Sequence, residues 1–360
     1  MTLNFKSKYF YAVSTVILLL LAIFFSFQYF KPQTTIEKPN QNLVKIGVIS
    51  DFSAQAANLG VATKLGFDMA KSDLQAENIN LELTFEDYKF DSSLALGLAK
   101  KLETITQVDG FYIDFNPGIL SAQSYLKDIP KPTIYNAAAM SPLKQSDNFF
   151  KSFIDFKDTC RQIAQKFKDR NVSKIGQIKQ NIEFGELCNQ GIKEIYGDDL
   201  LTLSFDQGET DFKPLILKAK GEQVQAIMVV SSFESDLITT LKAMKELDLK
   251  VPVGGSESAY TQKIKAQYSD FMGDSIRYDL EVNQSFSDKI KQQNTNADSS
   301  TYAQTATAYL HGLQLGRNIS KCDKQLACIK ENIAKSPKNY DGIPFDGFVN
   351  RIAKFKLKFN

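Results

Sequence analysis

Few side chains in this chain could take part in covalent or acid–base chemistry. Its 360 residues hold one histidine, His311, and four cysteines, and none of the spacings CxxC, HExxH, GxSxG or GxxxxGK occurs. His311 falls beside Gln304, Thr307 and Gln314 on a helix-period stripe, so a solvated histidine is expected and not a catalytic one. The acidic run EDYKFD (86–91) comes nearest to a cation site. Its spacing matches no loop that wraps calcium, and a solvated strand end accounts for it. No metal or cofactor is expected, and an enzyme becomes the minority reading.

The cysteines divide into two pairs. Cys322 and Cys328 are too far apart to bond inside one helix, about 9 Å at 1.5 Å per residue. With Cys322 in a loop before the helix the pair can close, and that disulfide is expected. Cys160 and Cys188 sit on apolar helix stripes (Ile163, Phe167; Gly191, Ile192, Ile195). There buried free thiols are the expectation, with a second bridge as the alternative.

What remains is binding, which depends on the elements that carry the loops. At this length two lobes are the natural division. The 43% hydrophobic content and 27 Phe can fill their cores. The 43 basic and 41 acidic residues are interspersed to a net +2, which gives no extended field for nucleic acid. Lys6 and Lys8 precede an uncharged run over 9–30, YFYAVSTVILLLLAIFFSFQYF. That run reaches the roughly 20 residues of a membrane-crossing helix and carries interfacial aromatics at both ends. The reading is a cytoplasmic segment 1–8, an uncleaved membrane anchor 9–30, a polar tether 31–42 and a remainder outside the inner face. A cleaved signal peptide is the alternative. A lipid-bearing N-terminal cysteine is excluded by the absence of Cys before Cys160.

From Leu43 the pattern alternates strand and helix. VKIGVIS (44–50), LELTFED (81–87), GFYIDF (110–115) and PTIYN (132–136) read as strands, with helices between them, one carrying Leu94, Leu98, Leu102 and Ile105. The rhythm restarts after Phe150 with a helix at 157–169, strand KIGQIK, a helix at 185–196, strand LLTLSF, and TDFKPLILKAK opening a helix with Pro214 in its first turn. AIMVVSS, a further helix and VPVGGS follow, then extended SIRYDLEV and helices near 301–317 and 323–335. Such βαβ units imply an α/β class of two Rossmann-like lobes with parallel sheets. All strand C-ends then fall on one edge of each sheet, and a ligand cleft lies between the lobes.

The order IGVISDFSAQAANLG, ED…D after the second strand, TIYNAAAMSPL, FGELCNQGI, TDFKPLI, VPVGGSES and NYDGI resembles the type I periplasmic binding proteins of ABC transporters, the leucine/isoleucine/valine-binding group. The resemblance covers residues 44–350. It implies crossovers near 151–156, 278–283 and 346–351, hence lobe one as 43–152 with 282–347 and lobe two as 153–281 with 348–360. The lobes close on a small-molecule ligand by hinge bending.

Carried over position by position, the resemblance implies a ligand set of Ser53, Asn116, Ala137, Ala139, Phe184, Phe233 and Glu257. Asn116 and the alanine backbone would hold a ligand carboxylate, Glu257 its ammonium group, and Phe184 and Phe233 would supply apolar walls. Ala139 stands where the family has threonine. The lost hydroxyl costs about 1.5–3 kcal/mol against a charged oxygen, which argues against a standard branched-chain amino acid. The implied role is a membrane-tethered solute-binding protein serving an ABC permease or a sensor. The alternative is an envelope protein that uses the fold to hold a protein partner.

Overall fold

The computed structural model describes residues 42–139, 141–152, 156–231, 234–255, 262–272, 275–279, 282, 284–295, 299–335, 339–340, 343–344 and 356–359. Lobe one is built on a five-stranded sheet in the order β2-β1-β3-β4-β5. Its strands are β1 (Leu43–Ser50), β2 (Asn80–Asp87), β3 (Gly110–Asp114), β4 (Thr133–Asn136) and β5 (Phe149–Lys151). All neighbours run parallel. The three-residue β5 was not visible in the sequence pattern.

Helices cover both faces, which is why the strands read as nearly continuous apolar runs. On one face α1 (Ala57–Ala76) and α11 (Ser299–Lys321) pack with Val44, Ile46, Val48, Tyr112 and Ile134. On the other, α2 (Ser92–Lys101), its π-helical extension Leu102–Thr106, and α3 (Asn116–Leu126) cover Ile49, Phe111, Ile113 and Tyr135. The alternation of these strand residues between two cores is the period-two signature of a sheet buried on both sides. A Cβ on Gly66 of α1 would lie 2.4 Å from the Thr305 carbonyl oxygen, so only glycine lets α1 and α11 approach this closely.

Lobe two repeats the plan. Its sheet runs β13-β10-β9-β8-β6-β7, from β6 (Ile175–Gln180), β7 (Leu200–Phe205), β8 (Ala226–Val230), β9 (Val253–Gly255), β10 (Ile276–Asp279) and β13 (Lys356–Phe359). Pairing is parallel until the last strand, which runs antiparallel to β10. One face buries α5 (Phe156–Asp169) and α6 (Glu183–Tyr196) with Ile175, Met228 and Val230. The other buries α7 (Lys213–Gly221) and α8 (Glu234–Glu246) with Ile178, Val229 and Val253. In chain order the remaining elements are the short α4 (Ser141–Gln145), α9 (Gln262–Met272), α10 (Gln284–Gln293), α12 (Leu326–Ala334) and a two-stranded ribbon, β11 (Asn339–Tyr340) with β12 (Ile343–Pro344).

Two sequence expectations are corrected here. His311 is fully buried, and Gln304 and Gln314 on the same helix are buried too. The helix α11 packs against both α1 and the sheet, so even its polar stripe faces protein. There the His311 Nε2 meets the Ser152 hydroxyl, and the imidazole lies 5.2 Å from the Tyr112 ring. Cys160 and Cys188 are not free thiols but a disulfide joining α5 to α6. Cys322 and Cys328 are bonded as expected, with Cys322 just beyond the end of α11 and Cys328 inside α12. Among the described residues no helix is long and apolar enough to cross a membrane, and the run 9–30 lies outside them.

Candidate ligand-binding site

The C-terminal ends of β1, β3 and β4 lie side by side in lobe one, and the loops leaving them form a polar edge. After β1, the buried Asp51 folds its own loop. Its Oδ1 accepts from the Ser53 and Ala54 amides at 3.2 and 2.7 Å, and its Oδ2 from the Ala56 amide at 2.6 Å. These are donors that a helix entrance would otherwise turn toward an anion. The Ser53 hydroxyl donates to Asp87 Oδ2 at 2.5 Å, and the Phe52 and Lys89 amides donate to Asp87 Oδ1 at 2.9 Å each. Burial pushes the Asp87 carboxyl up, but these hydrogen bonds outweigh it and hold the group below its ordinary range.

After β4 comes the alanine run. Ala137, Ala138 and Ala139 are buried. The amide of Ala139 donates to Asn116 Oδ1 at 3.0 Å, and its carbonyl accepts from the Tyr135 hydroxyl at 2.9 Å. Asn116 and Ala139 are therefore brought together, but the side chain spends its oxygen on the alanine amide. That leaves the Nδ2 of Asn116, not the Ala139 backbone, as the group able to meet a ligand acceptor.

Beneath this edge lies a carboxylate that sequence reasoning missed. Asp114 ends β3 with no exposure. Ser50 and Thr63 hydroxyls donate to its Oδ2 at 2.8 and 2.7 Å; the Tyr112 hydroxyl, Gln304 Nε2 and Asn136 Nδ2 donate to its Oδ1 at 2.6, 2.9 and 3.3 Å. All five donors are uncharged. Burial raises the Asp114 carboxyl above its ordinary range while the donors pull it back. The Gln304 amide also donates to Thr63 Oγ1 at 2.7 Å and accepts from Asn136 at 3.1 Å. The cluster thus ties β1, β3, β4, α1 and α11 together. A charged residue closing the otherwise apolar GFYID was the one signal available in the sequence.

The lobe-two edge carries an aromatic pair. Phe184, in the first turn of α6, stacks on Phe156 with ring centroids 3.7 Å apart and planes at 23°. The two rings wall a small open recess whose other sides include Met228 and Val230 of β8, Ser231 just after it and Gly255 at the end of β9. The Ser231 hydroxyl donates to Asp236, whose carboxyl burial raises.

The two edges face each other. Gln207 Nε2, after β7, donates to Gln55 Oε1, after β1, at 3.3 Å. Burial first, and then the Glu183 charge of lobe two, raise the Tyr135 hydroxyl of lobe one. Of the expected set, Ser53, Asn116, Ala137 and Ala139 lie on the lobe-one edge and Phe184 on the lobe-two edge, while Phe233 and Glu257 lie outside the described residues. Among the described residues no group of three or more His, Cys, Asp or Glu could hold a metal.

Residues 43–350 match the sequence profile of a family described as periplasmic binding protein. No curated protein sequence matches the chain significantly. Among solved structures, one similar to it is the branched-chain amino acid binding protein LivJ of Streptococcus pneumoniae with isoleucine, at 18% identity and TM-score 0.75 over 88% of this chain and 96% of that one. A fatty acid ABC transporter substrate-binding protein from Thermomonospora curvata aligns at 14% identity and TM-score 0.76 over 88% of each chain. A solute-binding protein of Rhodopseudomonas palustris with p-hydroxybenzoic acid aligns at 18% identity and TM-score 0.73 over 85% of this chain and 88% of that one. At such identities the likeness establishes the fold.

Proposed function

The chain belongs to the periplasmic binding protein family, type I, and we propose that it is a membrane-tethered solute-binding protein that captures a small amphipathic molecule between its lobes. One observation carries this reading: a hydrogen-bonding edge with Ser53, Asn116 and the alanine run faces an aromatic recess walled by Phe156 and Phe184. Such a pair of surfaces fits a ligand with a polar head and a ring or short chain. The structural neighbours' ligands, isoleucine and p-hydroxybenzoic acid, have this character. Phe233 and Glu257 complete the proposed set, with Glu257 meeting a ligand ammonium.

The lobe boundaries proposed are 152/153, 281/282 and 347/348; the pairing of β10 with β13 in one sheet and the packing of α11 on the other support this division. Residues 9–30 act as the anchor in the inner membrane, with the lobes in the periplasm. The two disulfides fit an oxidising compartment. Delivery to an ABC permease or a sensor protein is the role proposed.

Calorimetry and thermal-shift measurements on the full-length protein with branched-chain amino acids, hydroxybenzoates and short fatty acids test the reading; it fails if none of them binds. Glu257→Gln should weaken an amino-acid ligand by about 2–4 kcal/mol and leave a ligand without an ammonium group unaffected. The second reading, an envelope protein that holds a protein partner, is favoured by Ala139, whose backbone groups are both used inside lobe one. A stoichiometric protein partner without any small-ligand response would support it.

A further inference from the structure

Phe156 lies four residues before Cys160 on α5, and Phe184 lies four residues before Cys188 on α6. At that spacing each ring sits one helical turn from a cysteine on the same face. The cysteines are bonded, with their Cα atoms 5.2 Å apart and almost no exposure. The helices also touch backbone to backbone, because a Cβ on Gly191 of α6 would come 2.1 Å from the Lys157 carbonyl oxygen of α5. The covalent link therefore lies directly under the ring pair that walls the ligand recess, and Cys160 itself lines the recess floor.

We propose that the Cys160–Cys188 disulfide is a positioning element of the ligand site, which holds Phe184 against Phe156 before a ligand arrives. The proposal rests on the solute-binding reading for its use and on the geometry of α5 and α6 for its mechanism. Two rings ordered in advance save the ligand the cost of ordering them, so the group recognised is a flat or branched apolar one that meets a fixed wall. The Cys322–Cys328 pair provides an internal contrast. It joins the end of α11 to α12, near Lys324, whose amine pairs with Asp109 at the opposite, N-terminal end of β3.

The test compares full-length wild type with Cys160→Ala/Cys188→Ala, alone and combined with Phe184→Ala, using isoleucine and p-hydroxybenzoate as probes. Ring contact is read without ligand as nuclear Overhauser effects between selectively labelled Phe156 and Phe184. Loss of the disulfide should weaken that contact and reduce affinity for the probe that binds roughly tenfold. It should cost nothing further once Phe184 is alanine. Cys322→Ala/Cys328→Ala should change neither readout.

An unchanged ring contact, or an equal affinity loss with and without Phe184, overturns the proposal. If neither probe binds wild type, the solute-binding reading fails for these ligands while the ring contact still decides the positioning role. Cys160→Val/Cys188→Ala, which refills the space left by the sulfurs, serves if the alanine pair does not fold.

Discussion

The loops after β1 and β6 occupy matching places, since β1 lies between β2 and β3 as β6 lies between β7 and β8. In lobe one this loop is six residues long and is folded by Asp51 and Asp87, with Asp114 and its five donors behind it. In lobe two the loop is only two residues long, and the helix after it is held by a disulfide and an aromatic stack. One edge is fixed by directional hydrogen bonds and offers polarity; at the other a disulfide and an aromatic pair add a covalent link and apolar area to such bonds. The same chain topology thus supplies both halves of an amphipathic clamp.

The comparison can be broken most directly at Asp114. Asp114→Ala strands buried donors and should cost roughly 3–5 kcal/mol of stability in denaturant unfolding. Asp114→Asn keeps one acceptor oxygen and should cost about half as much. If the alanine variant loses less than 1 kcal/mol, hydrogen bonding does not hold the lobe-one edge. Next comes the covalent device: Cys160→Ala/Cys188→Ala should lower stability by about 2–4 kcal/mol, read as a fall in Tm for lobe two while lobe one is spared.

The third effect depends on pH. Burial holds the His311 imidazole down to about 3, against about 6.5 in an unfolded chain. The folded state cannot take the proton that the unfolded state takes. Its contribution to stability is complete above about pH 6.5 and declines by about 1.4 kcal/mol per pH unit as the pH falls from there toward 3. The stability difference between wild type and His311→Gln isolates this slope, which a flat difference from pH 7 to 4 would disprove. Smallest is the exposed contact between edges: Gln55→Ala should shift stability by no more than about 0.5 kcal/mol and a bound ligand's affinity by less than about threefold.

The parallel α/β class and the two lobes were legible because parallel strands covered on both faces appear as apolar runs between helical stripes. Val44, Ile46, Val48 and Ile49 show it well. His311 was misread because a polar stripe on a helix normally faces water, and only the three-dimensional packing of α11 against the sheet reveals that this stripe faces protein. The Cys160–Cys188 bridge was hidden for a related reason: 28 residues of separation say nothing about how two helices cross. The ligand role expected of Asn116 did not foresee that its oxygen accepts from the amide of Ala139, a pairing fixed by loop geometry and not by residue type.

The pairing of β13 with β10 also sets an order of assembly during synthesis. Sheet two gains its outermost strand from residues 356–359, after α11 and α12 have been made. A nascent chain that still lacks those residues leaves β10 as an open edge. The sheet of lobe one and the helices that cover it are therefore synthesised before residues 356–359 can complete the sheet of lobe two.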